Sequence, residues 1–342
     1  MVCYHPISAV YNIQDFKRTG KKNIQLVVHQ DTEEKRNMTK LQYPPNLYRL
    51  IHIPCGKCAG CRSDNAKMWS LRAMNELKLH DKNCFITLTY NDDNPLVHAD
   101  PLCLVSLRYK HFQNFMKRLR KRTGEKIQFL MCGEYGSKEG RSHFHCILFG
   151  YDFPDKELVY LSKGYPHYSS KILNECWSVY DKVNQYYIPI GFTDLAPVDL
   201  DCCNYVSGYV LKKLPSVLEN PEVVPGVELI DRCPPMIRSS RNPALGLNWY
   251  VKYGRNACEK GFEYVHNEKK GISYKVKTPS YYMKKFEIDE PDLCAKIKEQ
   301  KEIKALEKMK DKPPNYEELE RQEQSHLYRI IQSVKEKIKK FS

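Results

Sequence analysis

The chain has 342 residues, with 55 lysines and arginines against 41 aspartates and glutamates, a formal net charge of +14. Apolar residues make up 42%, enough for a packed core, which excludes a wholly disordered chain. The longest apolar runs, such as 129–132 and 146–149, are too short to span a bilayer, and no basic stretch followed by an apolar run marks a signal peptide. The positive excess points to a polyanionic partner, most simply nucleic acid. The 14 cysteines, without a secretion signal, read as reduced thiols, some binding metal, rather than as a disulfide framework.

Cys55, Cys58 and Cys61 form CxxCxxC, with Gly56 and Gly60 shaping a tight knuckle and a helix carrying Trp69, Ala73 and Leu77 behind it. Three thiols at this spacing can face one ion, and a structural Zn²⁺ wants four ligands. Cys3 is the first candidate for the fourth, His5 the second. An iron–sulfur cluster fits less well, because the nearby fourth cysteine and following proline of a ferredoxin run are missing. Downstream, FITLTY at Phe85–Tyr90 alternates as a strand does.

Residues 104–126 hold eight lysines and arginines and one acid, Glu125. Phe112, Phe115, Met116 and Leu119 give a helical core face, with Ser106 expected as N-cap and Gly124 just past the end. Lys117, Arg118, Arg120, Lys121 and Arg122 crowd the remaining sides. A solvated helix face usually mixes both signs, so this density favours phosphate contact.

Gln128–Glu134 and His143–Gly150 flank the turn-rich octet YGSKEGRS, a hairpin signal. His143 and His145 are two apart on one strand and share a face, half of a site for a divalent cation. Pairing about a turn near 138–140 puts Glu134 opposite them as a third ligand; a register shifted by one residue turns it away.

Asp199–Leu214 reads as a helix with acids at its start. Tyr205 and Tyr209 are four apart on one face, and Lys212 and Lys213 follow by a turn. A phenol has a reference pKa of about 10 and needs activation to attack a phosphate. A divalent ion on the histidines polarises that phosphate, and the nearby lysine ammonium marks Tyr209 as the better first nucleophile. Gly208 between the two phenols leaves room for a DNA backbone. Residues 216–285 are rich in Pro, Gly and Tyr and read as loops. Residues 286–342 are charged and mainly helical, with a stripe of Leu327, Ile330, Ile331, Val334, Ile338 and Phe341 that fits a helix docked on its own domain, the alternative being a partner-binding or dimerising helix.

FITLTY, HFH at His143–His145 and YVSGYVLKK at Tyr205–Lys213 occur in the order of the three motifs of the HUH superfamily of rolling-circle replication initiators. Further residues make the chain resemble more narrowly the replication-associated proteins of gokushoviruses, single-stranded DNA phages of the microvirus group. They are Cys3-Tyr4-His5-Pro6, PCGKCAGCR at Pro54–Arg62, Trp69, Arg72, GEYG at Gly133–Gly136 and SRNPALGLNWY at Ser240–Tyr250. The likeness covers residues 1 to about 250. Where the family often has Pro-Gly-Ile-Gly this chain has Pro243, Ala244, Leu245 and Gly246, so no role is carried over there.

The fold expected is α+β: a central antiparallel sheet with flanking helices, HUH endonuclease-like as the resemblance implies, with the Cys-rich N-terminal knuckle and helical C-terminal region read from the residues themselves. The expected divisions are 1–80 for the Cys-rich segment and helix, 81–215 for the catalytic core, 216–285 for a loop-rich extension and 286–342 for the charged helices. The resemblance implies a metal-dependent, site-specific DNA nickase of the bacterial host's cytoplasm. One tyrosine cuts the viral strand at the origin and stays on its 5′ end; the second later cuts and religates to release circles. The expected cofactors are Mg²⁺ or Mn²⁺ on Glu134, His143 and His145, and Zn²⁺ on Cys3, Cys55, Cys58 and Cys61. Partners are single-stranded and origin duplex DNA with the host polymerase and helicase, and no membrane. The alternatives are a plasmid or transposon nickase of the same superfamily, and a non-catalytic zinc-containing nucleic-acid-binding protein.

Overall fold

The computed structural model describes residues 3–19, 22–28, 30–91, 106–136, 141–212, 233–267, 271–309 and 315–341. Two compact units divide the chain, Met1–Asp64 with Glu299–Ser342, and Asn65–Lys298. Among the described residues, no helix is long and apolar enough to cross a membrane.

In the first unit, β1 (Ile7–Asn12) is the middle of a three-stranded antiparallel sheet. After α1 (Ile13–Thr19) comes β2 (Ile24–Leu26), which pairs on one side of it. α2 (Glu33–Gln42) starts at Thr32, whose side chain accepts from the Lys35 N–H, and β3 (Tyr48–Ile53) closes the other side of β1. The helix Tyr316–Phe341 belongs to the same unit and buries Ile330 from its apolar stripe.

The second unit is α+β, built on a seven-stranded sheet. α3 (Ala59–Leu77) leads into β4 (Asn83–Thr89), whose residues alternate strictly between buried and half-buried. That period of two assigns Cys84, Ile86 and Leu88 to one face and Phe85, Thr87 and Thr89 to the other. α4 (Tyr109–Thr123) follows, then the hairpin of β5 (Gln128–Tyr135) and β6 (Ser142–Phe149). Next are β7 (Glu157–Ser162), β8 (Tyr165–Ser169), α5 (Lys171–Cys176) and a separate hairpin of β9 (Ser178–Asp181) with β10 (Tyr186–Pro189). β11 (Thr193–Ala196), α6 (Leu200–Lys212) and β12 (Met236–Ser239) complete the sheet, in the order β12-β5-β6-β4-β11-β8-β7. β13 (Phe262–Asn267) and β14 (Ile272–Lys277) form another hairpin, followed by the helix Ser280–Asp289.

Each face of the sheet has its own core. Met131, Phe144, Cys146 and Leu148 pack beneath Phe112, Phe115, Met116 and Leu119 of α4, the four residues whose spacing marked them as its core face. α4 ends at Gly124, where a φ of 72° in the left-handed region suits glycine, and its N–H returns to the Arg120 carbonyl. Its start differs from the sequence expectation: Arg108 is the N-cap, and the Ser106 hydroxyl instead accepts from the Cys233 N–H at 2.8 Å. The opposite face buries Leu130, Cys132, Ile147 and Phe149 under Ala73 of α3 and Cys203 and Val206 of α6.

α3 also carries a polar tie. Glu76 is fully buried. Its Oε1 accepts from Gln128 at 3.1 Å and meets His80 Nε2 at 2.9 Å, while Oε2 accepts from the Gly246 N–H at 2.7 Å. One turn earlier, Arg72 donates twice to the Leu245 carbonyl, its guanidinium held between the rings of Trp69 and Tyr281 at 4.3 and 4.2 Å. Gly246 has a φ of +76°, and a Cβ there would run into the Tyr282 hydroxyl. Removing the carboxylate strands a buried N–H and a buried amide. Glu76→Ala is therefore expected to cost about 3 kcal/mol of stability, read as a lower denaturant midpoint at an unchanged m-value; a midpoint that does not move contradicts the tie.

Candidate functional site

The ladder of the β5–β6 hairpin builds the site. Glu134 pairs directly with His143, and Cys132 with His145. From the other side, Thr87 and Thr89 of β4 pair with His145 and His143. Residues directly opposite in an antiparallel ladder point to the same face. Glu134, His143, His145 and Thr87 thus share one face, so this is the register that turns Glu134 toward the histidines.

Glu134 Oε1 lies 2.8 Å from His145 Nε2 and 3.5 Å from His143 Nε2. The three ligating atoms all lie within 4.8 Å of one another. Glu134 is buried and the two histidines are partly buried. Behind them, Thr87 Oγ1 is 3.0 Å from His145 Nδ1, and the Phe85 ring stacks on His145 at 5.8 Å with 12° between planes. A partner on Nδ1 fixes the ring so that Nε2 faces the carboxylate. Two imidazole nitrogens and a carboxylate oxygen converging in this way fit a divalent cation.

α6 brings a tyrosine to the cluster. Asp199 caps it, accepting from the Cys202 N–H at 2.9 Å. Cys203 and Val206 pack onto Cys132 and Ile147, which sets Tyr205 over the cluster. The Tyr205 hydroxyl donates to Glu134 Oε1 at 2.7 Å and stands 3.3 Å from His145 Nε2. Burial, and then the Glu134 charge, push its pKa well above 10. Beside the Glu134 carboxylate the phenol is therefore held as a neutral donor. Tyr209 lies one turn on in the same helix. Its side chain, that of Lys212, and Lys213 itself lie outside the described residues. A Cβ at Gly208 would meet nothing within 4 Å among the described residues, so the helix is open there.

The structure does not bring the basic helix to this site. α4 packs on the face of the sheet opposite to Glu134, His143 and His145. Three of its five singled-out cations also have partners inside the protein. Arg118 donates to the Cys176 and Ser178 carbonyls, Arg120 donates twice to the Ile127 carbonyl, and Arg122 pairs with Glu175. Lys117 and Lys121 are exposed.

The four cysteines Cys3, Cys55, Cys58 and Cys61 do come together, their Sγ atoms within 4.8 Å of one another. Burial opposes ionisation of Cys58, but N–H and thiol donors outweigh it and bring that thiol down to about 7. Burial and neighbouring thiols raise Cys61 and Cys3.

The family model for the ORF2-type replication-associated protein matches residues 83–214, from β4 through the tyrosine helix. The chain is 28% identical over 302 residues to the replication-associated protein ORF2 of Spiroplasma virus 4, covering 85% of this chain and 82% of that protein. It is 27% identical over 273 residues to the replication-associated protein VP4 of Bdellovibrio phage phiMH2K, 76% of each chain. Over 214 residues it is 31% identical to the replication-associated protein ORF4 of Chlamydia phage 1, 59% of this chain and 47% of that one. No solved structure matches it. The matched segment holds the strand, the histidine pair and the tyrosine helix, and over it the chain is similar to the replication-associated proteins that this family model describes.

Proposed function

We propose that this protein initiates rolling-circle replication of a phage genome, cutting one DNA strand at the origin through a tyrosine and later rejoining it, on an HUH-type core. The observation that carries the reading is the Tyr205 hydroxyl 2.7 Å from Glu134 Oε1 and 3.3 Å from His145 Nε2, at a cluster fit for a cation. Tyr205 Oη attacks the phosphorus and the bond to the 3′ oxygen breaks. The phenol proton leaves toward Glu134 Oε1, its hydrogen-bond acceptor, and the departing oxygen takes a proton from solvent to become a 3′-OH. The DNA 5′ phosphate remains on the tyrosine. Glu134, His143 and His145 hold the cation, Mg²⁺ or Mn²⁺, which when bound draws charge from the phosphate oxygens. Thr87 keeps His145 oriented. The second phenol, Tyr209, then cuts the regenerated origin and takes its 5′ phosphate, and the 3′-OH so freed attacks the first phosphotyrosine, closing the circle and regenerating the Tyr205 hydroxyl.

Incubating the chain with end-labelled single-stranded origin DNA and Mn²⁺ tests the reading. A denaturation-resistant protein–DNA adduct is expected; nicks without an adduct, or no cutting with any single-stranded DNA of the phage, would refute it. The exposed Lys117 and Lys121 are assigned to duplex phosphates flanking the origin, because α4 lies on the far face of the sheet. Lys117→Ala with Lys121→Ala should reduce the log–log salt slope of duplex binding by about 0.9 for each lost contact and leave cutting of a short single strand unchanged. An unaltered slope removes those lysines from the DNA interface.

A further inference from the structure

The unit formed by Met1–Asp64 and Glu299–Ser342 holds a cluster that the tyrosine chemistry does not use. A Zn–S bond of about 2.3 Å in a tetrahedral site sets sulfurs roughly 3.8 Å apart. Cys58 Sγ and Cys3 Sγ stand 3.9 Å apart, and all four sulfurs fall within 4.8 Å of one another. Backbone donors already surround them. The Cys55 N–H points to Cys3 Sγ, the Lys57 and Cys58 N–H groups to Cys55 Sγ, and the Cys61 N–H to Cys58 Sγ. Four thiolates around one divalent ion carry a net charge of −2, and such N–H groups offset that charge. Four sulfurs leave no open position, as in structural rather than catalytic sites.

The helix Tyr316–Phe341 fastens onto the residues beside these cysteines. Glu323 Oε1 accepts from the Ala59 N–H at 2.9 Å, between Cys58 and Cys61, and its Oε2 pairs with His5. One turn on, His326 Nδ1 meets the Tyr4 hydroxyl at 2.9 Å and Nε2 meets Ser63 Oγ at 3.3 Å. Glu323 and His326 share a helix face, and every partner named lies within two positions of a clustered cysteine.

We propose that Cys3, Cys55, Cys58 and Cys61 bind one structural Zn²⁺, and that this ion orders the two segments on which the helix Tyr316–Phe341 docks through Glu323 and His326. Without the ion, residues 3–5 and 55–63 keep only the adjoining β1–β3 ladder and the thiol contacts between them, and the helix's polar partners loosen together.

Elemental mass spectrometry of the purified full chain should find one zinc per molecule, and Cys58→Ser with Cys61→Ser should lose it. Chelation should raise hydrogen exchange across 316–341 at least tenfold while the β4–β6 amides keep their protection. Glu323→Gln should retain the zinc yet raise exchange in the helix, and it keeps the test open if the cysteine variant fails to fold. No zinc, iron in its place, or zinc removal that leaves helix exchange unchanged would overturn the proposal. DNA cleavage is not the readout, so the result stands apart from the nickase reading.

Discussion

His143→Ala and His145→Ala should each lower adduct formation by about a thousandfold or more, and the double variant should abolish it. Both imidazoles sit on one strand of a fully paired sheet with Nε2 atoms converging on Glu134. Neither replacement touches the buried apolar residues of β6, which are Phe144, Cys146, Ile147, Leu148 and Phe149. Fluorescence anisotropy should therefore show DNA binding nearly unchanged while the adduct band disappears across a Mn²⁺ titration. Glu134→Gln should fall between, because the amide keeps an oxygen acceptor but loses the charge. Full metal-dependent cutting by the double alanine variant would move the chemistry elsewhere.

Tyr205→Phe should eliminate the first adduct. The hydroxyl it deletes is the one seated at the cluster, and the ring that remains still packs against His145 at 5.1 Å, so the loss is chemical rather than structural. Tyr209→Phe should keep the first cut and fail to release closed circles. Peptide mapping of the adduct formed on an origin oligonucleotide, beside a circularisation assay, separates the two steps. An adduct mapped to Tyr209 alone would return the first attack to the order expected from the lysines that follow it; circles formed at the normal rate by either variant would remove the two-tyrosine scheme.

Local periodicity made much of this protein legible. The alternation in FITLTY and HFH, with a turn-rich octet between strands, identifies the faces on which Thr87 and the histidines lie, because a strand repeats every two residues. The spacing of Phe112, Phe115, Met116 and Leu119 does the same for α4. CxxCxxC and Cys3 could be grouped because ligand counting constrains a thiol site. Contacts between distant segments leave no such trace. Nothing in the spacing of Glu76 announces that it meets the Gly246 backbone 170 positions away. Arg118 and Arg120 look like their lysine neighbours in sequence, yet they satisfy main-chain carbonyls at the ends of nearby elements. The Pro-, Gly- and Tyr-rich composition of 216–285 hides β12, β13, β14 and part of the helix Ser280–Asp289, whose pairing or packing partners decide their form.

The direct pairing of Glu134 with His143 also couples chemistry to correct assembly. Side chains alternate across a strand, so sliding β6 by one residue against β5 would carry both imidazoles to the α4 side, among Phe112, Phe115 and Leu119. Phe144 and Cys146 would be turned out toward Tyr205. A misaligned sheet thus pays twice, by immersing ring nitrogens in hydrocarbon and by baring an aromatic ring. A hairpin slipped by one residue retains no working pair of ligands. Under the proposed mechanism, cutting requires that the central strands have already found their alignment, and nuclease competence would report on folding fidelity.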